Sequence, residues 1–198
     1  TTAAIRVSGG DSLLGLMQLG ATQDGSGILP AALDLHGGPG ESSPVVTTVT
    51  RRSDLVAEEI GHEEPAIAVF RTAHPWYLVQ TRDSILGWIH LPESASVVPL
   101  VELLPNRLSY LTADWNGRLH QQPGEGTGTV IDGVVRDHGE VSAQVHEARQ
   151  VGAALWLRLS VHRESPCETG GEPDVVATGW VPAWTAGKPT AWYYSRGC

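Results

Sequence analysis

The chain has 198 residues and a mass of 21.1 kDa, which is enough for one large domain or two small ones. Its 13 basic and 22 acidic side chains give a formal net charge of −9, and this excess of acid argues against the basic surface that binding to nucleic acid requires. The apolar fraction of 41% excludes an intrinsically disordered chain, and no apolar run reaches the roughly 20 residues of a membrane-spanning helix.

The start of the chain gives two hints about processing and structure. It begins at Thr1, and its only methionine, Met17, lies inside a hydrophobic stretch. We therefore expect the native start to lie upstream, either because a secretion signal has been removed or because the chain has been trimmed. Residues 11–19 fit a short helix, or a strand that Gly15 weakens.

Short β-rich runs recur along the chain between clusters of its 23 glycines and 13 prolines. The clearest run is residues 155–162, in which leucine or valine at every second position alternates with other residue types. This period of two is the pattern of a half-buried strand. Many short strands separated by such turns favour a small barrel or a sandwich.

The chain also repeats itself. The segment Leu-His-Gly-Gly-Pro-Gly-Glu at residues 35–41 returns as Leu-His-Gln-Gln-Pro-Gly-Glu at residues 119–125, with five of seven positions identical. Two further landmarks follow in the same order in both copies: Trp-Tyr-Leu-Val (76–79) with Trp-Leu-Arg-Leu (156–159), and Leu-Gly-Trp-Ile (86–89) with Thr-Gly-Trp-Val (178–181). Three landmarks in one order predict a duplicated domain.

The duplication predicts a first domain at residues 1–98 and a second at residues 99–198. The tryptophan and the glycine of the Gly-Trp pair are 11 residues apart in the first copy and 23 in the second, because the second copy carries an insertion around residues 164–173. The insertion is dense in turn residues and is predicted as a hairpin loop. Residues 140–151 have helical spacing of apolar side chains, but they align with the β-rich end of residues 55–70, so we predict a strand.

These motifs resemble the bacterial SH3-like domain, a small β-barrel common in cell-envelope proteins. Its Gly-Pro loop, Ser-Pro-Val-Val strand entry, Trp-Tyr-x-Val strand and Gly-Trp-Val hairpin are matched at residues 33–40, 43–46, 76–79 and 87–89. The second copy replaces Ser-Pro-Val-Val with Gly-Thr-Val-Ile at residues 128–131. The resemblance implies an all-β fold of two tandem SH3-like barrels with extra flanking strands, in an exported protein that binds cell-envelope ligands such as peptidoglycan peptides.

The two cysteines, Cys167 and Cys198, both lie in polar segments that contain glycine. Free cysteines are usually buried among apolar residues, so the pair predicts a disulfide and a periplasmic or secreted location. Two unpaired thiols in a cytosolic protein are the alternative.

Catalytic signatures are absent from the sequence. His62 and His146 are each followed by glutamate but lack the second histidine of a zinc-protease helix, and the eight histidines have no metal-ligand spacing. We predict no metal site, no cofactor and no enzymatic activity. A third and weaker hypothesis is a hydrolase with His162 as base and Cys167 as thiolate.

The seven tryptophans are the candidates for ligand contacts. Strand alternation places Trp156 opposite the leucine face, toward solvent or a neighbouring segment, and the repeat places Trp76 likewise. Trp115 and Trp184 lie outside the central motif, where they would seal the copies together or line a crevice. We predict as ligand-binding residues Trp76, Tyr77, Trp115, Trp156 and Trp184.

For Trp88 and Trp180, core packing is favoured over a position in a ligand groove.

The leading hypothesis is a non-enzymatic cell-envelope binding module that recognises peptidoglycan peptides or another envelope protein, with no nucleic-acid partner and no membrane span. The alternative is a structural or assembly protein whose aromatic surfaces meet another protein or its own copy.

Overall fold

The structure is a computed structural model that describes residues 13–19, 28–92, 95–124, 126–137 and 139–197. These residues form two compact units, a first unit that ends at Leu100 and a second that begins at Val101; the sequence placed the division between residues 98 and 99. The helices described are single turns of four residues, α1 (Leu100–Leu103) and α2 (Pro166–Thr169), and neither has the length to cross a bilayer. The all-β class is confirmed.

The first unit contains one sheet of eight strands within the described residues. The strands are β1 (Gly15–Met17), β2 (Ile28–His36), β3 (Val45–Arg51), β4 (Ala57–Gly61), β5 (Glu64–Ala73), β6 (Trp76–Gln80), β7 (Leu86–His90) and β8 (Val97–Pro99). Their order is β3-β2-β7-β6-β5-β1-β8, and β4 pairs with β5 beside this path. A single 3-10 turn, Arg52–Asp54, follows β3.

The second unit contains a five-stranded sheet with the order β14-β13-β12-β9-β17, and two small ribbons, β10-β11 and β15-β16. The strands are β9 (Leu108–Leu111), β10 (Arg118–Leu119), β11 (Thr129–Val130), β12 (Val141–Val151), β13 (Ala154–His162), β14 (Val175–Pro182), β15 (Trp184–Thr185), β16 (Lys188–Pro189) and β17 (Ala191–Tyr193). The insertion of the second copy lies between the paired strands β13 and β14, as predicted for a hairpin loop, and it contains α2.

Neither large sheet closes into a barrel within the described residues. Closure would require the two end strands of a sheet to pair with each other. The first sheet instead ends at β3 and β8, which have seven and three residues, and the second ends at β14 and β17. The strand pairing of the described residues therefore does not show the two predicted barrels, and the SH3-like assignment stays a prediction.

The strand pairing repeats between the two units. In each unit a hairpin (β2-β3 or β10-β11) adjoins the last strand of a three-stranded meander (β5-β6-β7 or β12-β13-β14), and the first strand of the meander pairs with an earlier strand (β1 or β9). His36 pairs with Trp88 across the first junction, and His120 pairs with Trp180 across the second. Equivalent positions of the repeat thus form equivalent pairs.

A β-bulge occupies the same place in both meanders. The β5-β6 register shifts between Val69 and Arg71, and the β12-β13 register shifts between Val145 and Glu147. In both ladders the shift lies opposite the third and fourth residues of the Trp-containing landmark. Because a bulge inserts one residue into a ladder at a defined point, its shared position supports the duplication inferred from the sequence.

The same bulge explains why residues 140–151 have helical spacing although they form β12. Val141, Ala143 and Val145 alternate as buried positions, and the extra residue after Val145 shifts the alternation by one. The apolar residues then fall at steps of two and three, which mimics a helix. The predicted strand is confirmed, as is the strand alternative for residues 11–19, where β1 forms; residues 11 and 12 lie outside the described residues.

Each unit has its own core on the inner face of its sheet. In the first unit the cluster comprises Met17, Leu35, Val49, Leu55, Ile67, Val69, Tyr77, Val79, Ile89 and Leu91. In the second unit the most deeply buried sheet residues are Ser109, Leu111, Val141, Ala143, Val145, Leu157, Leu159, Val161 and Val181. The leucine face predicted from the alternation of residues 155–162 is therefore the buried face.

The glycine of each Gly-Trp pair is required by a close approach of strands. A Cβ at Gly87 would lie 2.6 Å from the Leu35 Cβ, and a Cβ at Gly179 would lie 2.9 Å from the Leu119 Cβ. These leucines are equivalent in the repeat, so the same close approach joins the hairpin to the meander in each unit.

We expect Gly87→Ala and Gly179→Ala each to lower the free energy of unfolding by about 1–3 kcal/mol, because the added methyl group must displace a buried leucine. Urea unfolding measures the loss. Gly171→Ala is the matched control, since nothing lies within 4 Å of its Cβ position. Equal stability of Gly87→Ala, Gly179→Ala and the control would contradict the close approach.

Candidate functional site

The first predicted ligand residue, Trp76, lies inside its unit. It is 8% exposed, and its indole meets the rings of His36 and His90 with centroid distances of 5.1 Å each. The Nδ1 of His36 donates to the carbonyl oxygen of Ser43 at 2.8 Å, which fixes the imidazole against the indole. Of the two sequence-based alternatives, Trp76 therefore faces a neighbouring segment and not solvent.

The second copy repeats this packing. His120 and Trp156 meet at 5.2 Å with an interplanar angle of 84°, close to the 81° between His36 and Trp76. Trp156 is half-buried and pairs with Pro182, where Trp76 pairs with a histidine. The repeated Leu-His, Trp and Gly-Trp landmarks thus pack the hairpin onto the meander in each unit.

The remaining predicted aromatics do not extend this surface. Tyr77 belongs to the core, and its hydroxyl donates to the Ala95 carbonyl at 3.2 Å. Trp115 is 4% exposed, and its Nε1 donates to the Arg118 carbonyl at 2.9 Å. Trp184 is half-buried on β15, and its Nε1 has no hydrogen-bond partner among the described residues.

The two tryptophans for which core packing was favoured differ from each other. Trp180 is 6% exposed and lies under the guanidinium of Arg149 at 4.8 Å, whereas Trp88 is half-buried. The described tryptophans therefore pack mainly against other residues of their own unit.

The second unit contains an open cavity of about 220 Å³, which we call the acidic cavity. Three parts of the chain form it: four residues between Val135 and Ser142, before and at the start of β12, residues 164–168 of the insertion, and Tyr194 and Gly197 near the C-terminal end. Its lining residues are Val135, Asp137, Glu140, Ser142, Glu164, Ser165, Cys167, Glu168, Tyr194 and Gly197. The first copy has no counterpart of the insertion that forms one of its walls.

Four carboxylates line the acidic cavity, and no lysine or arginine is among its lining residues. A lining rich in carboxylates favours a cationic group over an anionic one. Burial and the charge of Glu140 raise the pKa of Tyr194 to about 12, and the Tyr194 hydroxyl donates to Glu140. Within the described part of the chain, no three histidine, cysteine or carboxylate side chains are placed to hold a metal ion.

A buried histidine lies behind the cavity wall. The Oγ of Ser142 is 3.2 Å from the Nδ1 of His162, which is 1% exposed, and the buried Nε2 of His162 has no hydrogen-bond partner among the described residues. Burial, and secondarily the charge of His146, lowers the pKa of His162. The imidazole is therefore neutral at neutral pH.

A serine beside a neutral histidine, here Ser142 and His162, is also found in sites that catalyse acyl transfer. Such a site must stabilise an oxyanion with hydrogen-bond donors. The four carboxylates around Ser142 would instead oppose negative charge. The arrangement favours binding of a cationic group over acyl transfer.

Cys167 lines the acidic cavity and carries no free thiol. It therefore has no thiolate to offer to the Cys/His hydrolase considered from the sequence. Cys198 lies outside the described residues, so the predicted bridge between the two cysteines stays a prediction.

The acidic cavity was missed by the sequence-based search for ligand residues, which concentrated on tryptophan. The available signal was the length difference between the copies, because the insertion contributes Glu164 and Glu168 to the cavity. No local sequence pattern indicated that Glu140 and Tyr194 lie together, since more than 50 residues of chain separate them.

Comparison with family models and with curated proteins finds no match for this chain. These comparisons therefore neither support nor oppose the resemblance to the bacterial SH3-like domain. The geometry of the second unit carries the functional argument.

Proposed function

We propose that the protein is a non-enzymatic binding module of the bacterial cell envelope, and that the acidic cavity receives a cationic group of a peptidoglycan peptide. The observation that carries this proposal is an open cavity with four carboxylates and one tyrosine in a duplicated β-fold. Peptides of the cell wall supply such a group when a diamino acid in them retains its side-chain ammonium.

The size of the cavity limits what it receives. At about 220 Å³ it is smaller than the roughly 300–1,000 Å³ of sites that enclose a whole small molecule. It accommodates one side chain or terminal group, while the rest of the ligand lies on the surface outside. An ammonium group on an alkyl stem suits it, because Val135 and Tyr194 offer apolar contact beside the carboxylates.

We further propose that each unit is an SH3-like module elaborated by flanking strands. The repeated hairpin, meander and bulge support this assignment, as does the repeated His–Trp packing. The flanking strands are β1 and β8 in the first unit, which pair with each other, and β9 and β17 in the second unit, which also pair with each other. An oxidising, exported location is part of the same proposal, because it permits a disulfide at Cys167.

Sedimentation with purified peptidoglycan sacculi tests the proposal. We expect the protein to enter the pellet at low salt. The double variant Glu164→Gln/Glu168→Gln should bind about 5–30-fold more weakly, because two exposed carboxylates contribute about 0.5–1 kcal/mol each. Glu41→Gln/Glu63→Gln, at two exposed carboxylates of the first unit, is the matched control.

Wild-type protein that stays wholly in the supernatant would contradict the proposed ligand. Light scattering over a concentration series would then examine the alternative, a structural or assembly protein. A mass that rises with concentration supports that alternative, and a constant monomer mass opposes it.

A further inference from the structure

The hydroxyl of Ser142 connects the acidic cavity to a buried histidine. Ser142 lies on β12 and lines the cavity, and its Oγ is 3.2 Å from the Nδ1 of His162 on β13. His162 is 1% exposed, so the hydroxyl links the cavity to a ring that solvent does not reach. A hydrogen bond that a ligand makes to Ser142 therefore also affects His162.

The other ring nitrogen of His162 is unpaired. Its Nε2 is buried and has no hydrogen-bond partner among the described residues. An unpaired polar atom is costly in a protein interior, and one that persists requires a reason. An apolar side chain at this position would avoid that cost, but it would lack the contact between Nδ1 and Ser142.

The surroundings of His162 keep its ring uncharged. Burial, and secondarily the charge of His146 on β12, lower its pKa. Its pairing partner on β14 is the apolar Val175, and the next residue on β13, Arg163, directs its guanidinium to the Asp174 carboxylate. The pKa is lowered although the adjoining cavity is lined by four carboxylates, those of Asp137, Glu140, Glu164 and Glu168.

We infer that Ser142 determines specificity in the acidic cavity by accepting a hydrogen bond from the bound cation, and that His162 positions Ser142 by accepting a hydrogen bond from its hydroxyl. This rests on the proposed function in taking the cavity to bind a cationic group. The ligand class is a primary ammonium, whose three N–H donors can reach Ser142 and the carboxylates together. A trimethylammonium group has the same charge but no N–H to donate to Ser142.

The state of His162 decides what Ser142 can accept. In the neutral ring with its proton on Nε2, Nδ1 accepts from the Ser142 hydroxyl, and the Ser142 oxygen remains free to accept from the cation. Protonation turns Nδ1 into a donor, which occupies the Ser142 oxygen and places a positive ring one hydrogen bond from the cation. Binding should therefore weaken as the pH falls through the pKa of His162.

Titration of the full chain with two amines of equal stem and charge, pentylammonium and trimethylpentylammonium, tests the role of Ser142. We expect wild type to prefer pentylammonium at neutral pH. Ser142→Ala should lose about tenfold of this preference, because one hydrogen bond to a charged group is lost. The size difference between the amines is the same for both proteins, so it cancels.

Ser160→Ala is the matched control for Ser142→Ala. Ser160 also lies on the sheet beside a histidine, with its Oγ 2.8 Å from the Nε2 of His146, but it is not among the residues that line the cavity. Its replacement should leave the amine preference unchanged.

Two variants of His162 test its positioning role. His162→Phe should lose the same preference as Ser142→Ala, and the double variant should lose no more than either single variant, because the two residues act as one unit. His162→Asn offers Ser142 an acceptor that does not titrate. It should retain the wild-type preference at neutral pH and keep it at the lower pH where wild type weakens.

The nitrogen-15 shifts of His162 give a measurement that needs no variant. With pentylammonium bound, the proton of the neutral ring should be on Nε2 and Nδ1 should carry none. A proton on Nδ1 at saturation would overturn the inference, as would an equal amine preference in wild type and Ser142→Ala.

Sedimentation with sacculi separates this inference from the proposed function. Protein that binds sacculi and pentylammonium, with a preference that does not depend on Ser142, would retain the function and remove the role of Ser142 and His162. A preference that depends on Ser142, in protein that fails to bind sacculi, would retain their role and remove the peptidoglycan ligand. Wild-type protein that binds neither amine nor sacculi would remove both.

Discussion

Replacing Glu58 with glutamine is expected to raise the free energy of unfolding of the first unit by about 3 kcal/mol at pH 8. Burial on β4, with a smaller contribution from the charge of Glu59 and opposition from Arg82, raises the pKa of Glu58 from 4.5 to about 7. One pKa unit corresponds to about 1.4 kcal/mol, so the rise from 4.5 to about 7 corresponds to about 3 kcal/mol. The ionised carboxylate destabilises the folded unit by this amount once the pH exceeds 7.

The sign of the pH dependence follows from the raised pKa of Glu58. At pH 4 the carboxyl is protonated in the folded unit and largely protonated in the unfolded chain, so it costs nothing. As the pH rises through 7 the unfolded chain gains from ionisation that the folded unit resists, and stability is lost. Glu58→Gln should therefore match wild type at pH 4 and exceed it at pH 8.

Urea unfolding followed through hydrogen exchange in β5 measures this difference, because β4 pairs with β5. Glu41→Gln is the matched control, since Glu41 is exposed in the loop before β3. A Glu58→Gln variant no more stable than wild type at pH 8 would contradict the burial of this carboxyl.

The second unit should show the opposite pH dependence because of His162. Burial lowers the pKa of His162 in the folded unit below its ordinary value of 6.5, and the charge of His146 adds to the effect. Below pH 6.5 the unfolded chain takes up a proton that the folded unit resists. The free energy of unfolding should then fall by up to about 1.4 kcal/mol per pH unit from this group alone.

The variant His162→Asn should lack this part of the pH dependence, because asparagine retains a polar group toward Ser142 but does not titrate. Unfolding of β12, β13 and β14 measured between pH 7.5 and 5 gives the comparison. His74→Asn, an exposed histidine of the first unit, should leave the slope of the second unit unchanged. Equal slopes for wild type and His162→Asn would show that His162 is not the group responsible.

The duplication could be inferred from the sequence because its landmark motifs contain the residues that local packing constrains most. Gly87 and Gly179 allow a close approach, and Leu35 and Leu119 fill the space that results. A larger side chain at either glycine would force the hairpin away from the meander, and a smaller one at either leucine would leave a cavity. Such constraints act at single positions, so they survive as short matching motifs.

The environment of the tryptophans could not be inferred from the sequence in this way. Strand alternation correctly placed Trp76 and Trp156 opposite the core face, but it says nothing about what covers that face. The covering rings are His36 and His120, which belong to a hairpin more than 30 residues earlier in the chain. Only the pairing of that hairpin with the meander shows that the indoles are packed.

The amino-acid sequence alone determined the all-β class, the division into two related halves and the strand at residues 140–151, because alternation, turn residues and repeats are properties of order along the chain. Tertiary structure alone decided that the sheets stay open and that the acidic cavity exists. Glu140, Glu168 and Tyr194 meet there from three separate segments, and convergence of distant segments depends on how strands pair in space.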